Sequence, residues 1–233
     1  MQLRAKSGRG PGDTAGVVTA LRSAILDGRC AAGQPMAEIP LAQALGVSRT
    51  PVRLALRTLA QEGLLSRRGA RGYEVRAFSE TDVRCAVEVR GVLEGLAARQ
   101  LAERGLSDEL RAELQACLAD GERVLGGEHL GPEVIEMWSL LNTRFHRAIA
   151  EGGDSRVVAD AIERNNSMPF ASPDSIAIDD SAPAREHERL RIAQLQHRLI
   201  VEALEQGESA RAELLMREHA NIGLRYARHL AGR

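Results

Sequence analysis

The chain has 233 residues, 44% of them hydrophobic and only 3% aromatic, which allows two modest cores of Leu, Ile, Val and Ala and favours packed helices over a β-sandwich. Its net charge of −1 divides unevenly: residues 1–78 carry 12 Lys and Arg against 5 Asp and Glu, and residues 79–233 carry 19 against 27. No run of about 18 apolar residues exists, and the start MQLRAKSGRGPGD has no apolar signal core, so a soluble cytoplasmic protein is expected.

Residues 1–13 are rich in Gly, Arg and Lys without periodicity and are expected to be a disordered lead-in. Residues 14–78 are expected to form a first, basic domain suited to a polyanion, and residues 79–233 an acidic one that stays off DNA. From Thr14 to Asp27, Val18, Leu21 and Ile25 form one apolar stripe, with Gly28 as a stop. Gly33-Gln34-Pro35 is expected as a turn, and Leu41, Leu45 and Val47 as the apolar side of a short helix. A tight Gly46-Val47 turn then leads into a second helix, expected to be capped by Ser48, with Pro51 in its first turn. Val52, Ala55, Leu56 and Leu59 fall on one face, and Arg49, Arg53 and Arg57 repeat every four residues on the other. That is the shape of a DNA-recognition helix; a solvated charged face on an ordinary helical hairpin is the plainer alternative. Leu64–Arg68 and Tyr73–Arg76 read as two strands joined by a Gly-containing turn, completing a winged helix-turn-helix. Arg67, Arg68 and Arg71 near the wing tip would lie along the DNA backbone or enter the minor groove, unless the hairpin is purely structural.

The succession I-L-D-G, L-A-Q-A-L-G-V-S-R-T-P-V-R and L-x-x-E-G-L-L with its wing, over residues 17–76, resembles the GntR family of bacterial repressors. The resemblance implies that Arg49 and Arg53 contact bases and phosphates in the major groove, that Ser48 and Thr50 touch the backbone, and that Arg57 is a weaker phosphate contact. The chain departs from the family pattern at Ile39, where some members carry a basic residue, and at Leu54, where a Glu is common.

Beyond Phe78, with Ser79 or Thr81 as a cap, helices are expected at about 80–104, 107–125, 132–151, 154–165, 183–206 and 208–230. The loop around Met168–Pro183 is expected to be mobile. The fold class is therefore mainly α, a winged helix-turn-helix followed by an all-α bundle. Three helices carry polar residues on apolar faces: Asn142 and His146 within Ile135, Trp138 and Ile149; His197 within Leu190, Ala193, Ile200 and Leu204; and His219 within Ala212, Leu215, Ile222 and Tyr226. In an antiparallel hairpin turning at Gly207, His197 and His219 stand about 15 and 18 Å from the turn and so face each other. With the Asn142/His146 helix packed over them, three imidazoles and an amide oxygen converge in an apolar bundle, where a divalent metal would satisfy them together. A polar, water-filled effector pocket without metal is the alternative. Arg90 either meets an effector carboxylate or pairs with Glu94; His129, His187 and His229 are expected to be solvated. Cys30, Cys85 and Cys117, odd in number and far apart, suggest neither a disulfide framework nor a thiolate zinc site.

N-x-x-x-H, H-R-L-I-x-x-A-L-x-x-G and the final M-x-x-H make residues 80–230 similar to the FCD domain of the FadR-type GntR subfamily. That resemblance implies a homodimer on a palindromic operator, a carboxylate effector, and a Zn, Ni or Mn type ion on Asn142, His146, His197 and His219. An acidic residue often stands in that family where this chain has Asn142, so the site here is less charged and leaves more positive charge for an anionic ligand. The competing function is a metal-dependent enzyme acting on a small organic acid; no general base stands beside the cluster, and a DNA-binding domain in front argues for sensing.

Overall fold

The computed structural model describes residues 13–26, 28–69, 72–127, 129–153, 155–168, 171–173 and 182–231, without the side chains of residues 26 and 223–231. Most of the expected 1–13 lead-in, Arg71, most of the loop expected to be mobile, and the side chains of Tyr226 and His229 lie outside this set. The chain divides into two compact units after Phe78.

The first unit begins with α1 (Thr14–Leu26), whose start is held by Asp13 Oδ1 accepting from the Gly16 amide at 2.7 Å. After it come β1 (Pro35–Met36), α2 (Glu38–Leu45), α3 (Arg49–Gln61), β2 (Leu65–Arg68) and β3 (Gly72–Val75). Gly46 closes α2 at φ 68°, a left-handed conformation that costs glycine nothing and makes the tight turn possible. Leu21, Val52, Ala55, Leu56, Leu59 and Leu64 are almost fully buried in one core. Arg22 of α1 grips Glu62 through Nη2 at 2.6 Å and Nε at 3.1 Å, tying α1 to the end of α3.

Two local expectations are corrected. Pro35 belongs to an edge strand, because β1 pairs antiparallel with β3 (Pro35↔Glu74, Met36↔Tyr73) and makes the sheet three-stranded in the order β1-β3-β2. An edge is where a residue without an amide hydrogen is tolerated. Ser48 occupies the cap position of α3 with extended backbone, but its hydroxyl accepts no amide of the helix.

Among its described residues the regular structure of the second unit is all helix: α4 (Glu80–Arg104), α5 (Asp108–Leu125), α6 (Pro132–Gly152), α7 (Arg156–Asn166), α8 (Pro183–Glu205) and α9 (Ser209–Ala231). Ser79 starts α4 with a complete capping box, its Oγ accepting from the Asp82 amide and the Asp82 carboxylate accepting from the Ser79 amide. Leu101, Leu114, Phe145, Ile149, Ile200 and Leu204 lead a core shared by α4, α5, α6 and α8. Gly91 and Gly95, one turn apart on α4, let α9 approach closely: a Cβ at Gly95 would stand 2.8 Å from Arg217 Cγ and 3.0 Å from the Glu213 carbonyl oxygen. The backbone oxygen cannot move aside as a side chain can. Gly95→Val is therefore expected to destabilise the second unit by about 1–3 kcal/mol. Urea denaturation followed by the emission of Trp138, the chain's single tryptophan, checks it; an unshifted midpoint would mean the helices are not so close.

Candidate DNA-reading face and candidate metal site

On the first unit, α3 hides Val52, Ala55, Leu56 and Leu59, and Arg49, Thr50, Arg53 and Arg57 are exposed or nearly so on its other side. At about 100° per residue the three arginines do not form a straight row. They sweep about 40° per step, from the flank at Arg49 to the outermost line, shared by Thr50 and Arg57. Arg49 is also engaged, its Nη2 3.1 Å from Glu38 Oε2 on α2, while its side chain stays 65% exposed. Ile39 and Leu54, the two departures from the family pattern, are exposed at 53% and 42%. In the wing, Arg67 and Arg68 are exposed, Arg68 lying 3.7 Å from Glu74 across the hairpin.

On the second unit, His146 of α6, His197 of α8 and His219 of α9 are 3–4% exposed and each offers a ring nitrogen within 4.8 Å of the others. His219 is the hub: its Nε2 stands 3.2 Å from His146 Nε2 and 3.0 Å from His197 Nε2. His197 stacks on Phe145, centroids 4.0 Å apart, and on Trp138 at 6.1 Å.

The outer nitrogens decide the chemistry. His146 Nδ1 lies 3.0 Å from Glu94 Oε2, and a carboxylate only accepts, so Nδ1 carries the hydrogen and Nε2 presents a lone pair. His219 Nδ1 lies 2.9 Å from Gln196 Oε1, which assigns His219 the same tautomer. Two lone pairs therefore point at each other, an arrangement that repels when empty and binds when a cation sits among them. Asn142 adds to it: Nδ2 donates to the Pro173 carbonyl at 2.8 Å, leaving a buried Oδ1 without a partner. The three imidazoles present thus fit a divalent metal, and the open Asn142 oxygen is a further donor on the same helix as His146.

Burial, together with the neighbouring imidazoles, holds His197 and His219 well below their ordinary pKa of 6.5. Burial opposes the ionised form of Glu94, yet its interactions with His146, a hydrogen bond among them, and with the Arg90 charge outweigh it and keep its carboxyl below the usual range. For the two histidines the unfolded chain takes up the protons that the folded chain refuses. Their contribution to stability is full above pH 6.5 and is lost as the pH falls below it, by about 1.4 kcal/mol per pH unit for each histidine. In chelator-treated protein the urea midpoint read by Trp138 should fall between pH 7.5 and 5.5, and a flat profile would contradict neutral burial.

Arg90 does not line the cavity beside His146. It is 5% exposed, donates through Nη1 to the Ala171 carbonyl at 3.0 Å and through Nη2 to the Ala220 carbonyl at 3.4 Å, and its Nε is 3.7 Å from Glu94 Oε2. The structure thus places it with Glu94, the second of the two roles expected for it. His187 is half-buried, with Nε2 2.9 Å from the Leu125 carbonyl oxygen, which corrects its reading as solvated; His129 is exposed. Sequence reasoning missed the bond of Glu94 to His146 and the part played by Gln196. The available signal was a carboxylate at position 94 among apolar residues of α4, 1% exposed in the folded chain.

Comparison with known proteins agrees with both halves. Residues 14–75 match the model described as bacterial regulatory proteins, gntR family, and residues 85–221 match the FCD domain. A relative from Paenarthrobacter nicotinovorans, named a probable D-xylose utilization operon transcriptional repressor, is 33% identical over 215 residues, covering 89% of this chain and 85% of that protein. The Nta operon transcriptional regulator of Aminobacter aminovorans is 35% identical over 114 residues, 49% of this chain and 51% of that one. Among solved structures, E. coli McbR/YncC superposes with TM-score 0.65 at 23% identity, over 93% of this chain and 97% of that chain, a likeness of fold. No helix among the described residues is long and apolar enough to cross a membrane. The chain therefore belongs to the GntR family with a C-terminal FCD domain, and is a DNA-binding transcriptional regulator rather than an enzyme.

Proposed function

We propose that this regulator is a cytoplasmic homodimeric repressor that binds a palindromic operator through α3 and the wing, and that its FCD domain takes a small carboxylate effector at a divalent metal of the Zn, Ni or Mn type. The observation that carries the reading is the convergence of the Nε2 atoms of His146, His197 and His219, with acceptors behind His146 and His219 turning the lone pairs of those two rings inward. Such a trio with the amide oxygen of Asn142 is an uncharged ligand set, so a bound dication keeps its full charge and attracts a carboxylate at its open positions. Repression is carried over from the printed name of the Paenarthrobacter relative. With Arg90 engaged by two carbonyls and Glu94, the metal rather than Arg90 meets the acid. The effector acts by binding one arrangement of the regulator better than another, which shifts the population able to hold DNA.

Metal analysis of the purified chain and mobility shift with and without organic acids test this. Stoichiometric metal and an acid-dependent loss of a specific complex are expected. No DNA fragment retained at moderate salt, or no metal bound at saturation, would sink the corresponding half of the proposal.

A further inference from the structure

Among its described residues α3 exposes one large apolar side chain, Leu54, at 42%. A single exposed leucine is ordinary on a protein surface and by itself points to nothing. Its place on the helix does. At about 100° per residue Leu54 stands about 40° from Thr50, on the side opposite Arg53, and about 60° from Arg57. It is therefore on the face turned away from the buried Val52, Ala55, Leu56 and Leu59. Thr50, Leu54 and Thr58, each one turn further along, make a second row beside Arg49, Arg53 and Arg57. Thr58 Oγ1 donates to the Leu54 carbonyl at 3.2 Å, so its hydroxyl is engaged by its own helix. One row brings charge and hydrogen-bond donors, while the centre of the other can neither donate nor accept.

The major groove offers a partner to each row. Guanine presents acceptors to a guanidinium, and thymine presents a C5-methyl group that an apolar side chain can cover. Over any other base edge a leucine would strip water from a hydrogen-bonding group and put nothing in its place, which costs free energy. Against a methyl it removes apolar surface from water on both sides. We infer that Leu54 is a specificity-determining residue of the reader: it packs on the C5-methyl of a thymine near the base met by Arg53 and so selects T·A at that position of the operator. The inference rests on α3 as the reading helix proposed above and adds a base choice that no arginine makes.

The test uses the full-length chain and a duplex that it selects from random sequence. Each thymine is replaced in turn by deoxyuridine, which keeps every hydrogen-bonding group and lacks only the methyl, and binding is followed by fluorescence anisotropy. At one thymine per half-site the replacement should weaken the wild type about fourfold, the worth of one buried methyl-sized group. Leu54→Ala, made at an exposed position outside the core, should bind the parent duplex more weakly than the wild type does and should no longer distinguish thymine from deoxyuridine there. Selection repeated with Leu54→Ala should return a sequence relaxed at that position and unchanged at the guanine met by Arg53. The inference is overturned if no thymine methyl matters to the wild type, or if the same methyl matters equally to Leu54→Ala, since the effect then comes from the shape of the DNA. Arg53→Ala on the same duplex tells the two failures apart. Weakened binding by Arg53→Ala with no methyl effect overturns the role of Leu54 alone, whereas unchanged binding by both variants overturns α3 as the reader along with it.

Discussion

Replacing Arg53 by alanine is expected to weaken binding to the operator by about ten- to a hundredfold per half-site and to leave the fold intact. The exposed guanidinium stands on the outer side of α3, away from the buried Val52, Ala55, Leu56 and Leu59, so its removal touches no core. A bidentate contact between arginine and a guanine edge contributes about 1–3 kcal/mol of discrimination, which is the origin of the expected range. Arg49→Ala should cost less. Its guanidinium is already 3.1 Å from Glu38, and that pair has to be given up before the side chain can turn to a base. Fluorescence anisotropy on a duplex selected from random sequence by the full-length chain separates the roles. Loss of a base contact relaxes the selected sequence, whereas loss of a phosphate contact lowers the salt slope by about one unit and weakens all duplexes alike. Unchanged affinity and unchanged sequence choice for Arg53→Ala would remove it from the reader.

His219→Ala should abolish the stabilisation that a divalent metal confers. His219 Nε2 is the nitrogen that both other imidazoles approach, at 3.2 and 3.0 Å, so its loss removes the centre of the ligand set and leaves two rings that no longer share a cation. At a hundredfold excess of metal over its dissociation constant the wild-type chain gains about 2.7 kcal/mol, visible as a rise of several degrees in a thermal scan. The variant should show none. Gln196→Leu, which frees the His219 tautomer without removing a ligand, should weaken metal binding by about ten- to a hundredfold. Trp138 stacks on His197, ring planes within 4°, and gives a second readout, since a paramagnetic ion in the cluster should quench its emission in the wild type and not in His219→Ala. A metal-induced shift retained by the variant would place the ion elsewhere.

The reader and the succession of helices were legible because their signals are local. Apolar spacing, Gly46 at a left-handed turn, Pro51 inside a first turn and Ser79 before Asp82 each act within one or two turns of chain. The meeting of His197 with His219 was legible as well, since two antiparallel helices joined at Gly207 convert sequence distance into height along the bundle. Pro35 misled because a turn and a two-residue edge strand look the same until β3 is there to pair with.

What the residues alone determined is the architecture and the identity of the groups that meet: a basic reader, an acidic bundle, three histidines and one asparagine on apolar faces. Only the tertiary structure decided what those groups do to each other. Glu94 and His146 are 52 positions apart and Arg90 is 130 from the Ala220 carbonyl, and no periodicity specifies partners over such separations. Burial drives most polar groups in the bundle to find one, and the choice is set by which helices pack together. In that packing Arg90 is drawn to backbone carbonyls, and Glu94 and Gln196 fix the tautomers that turn lone pairs inward.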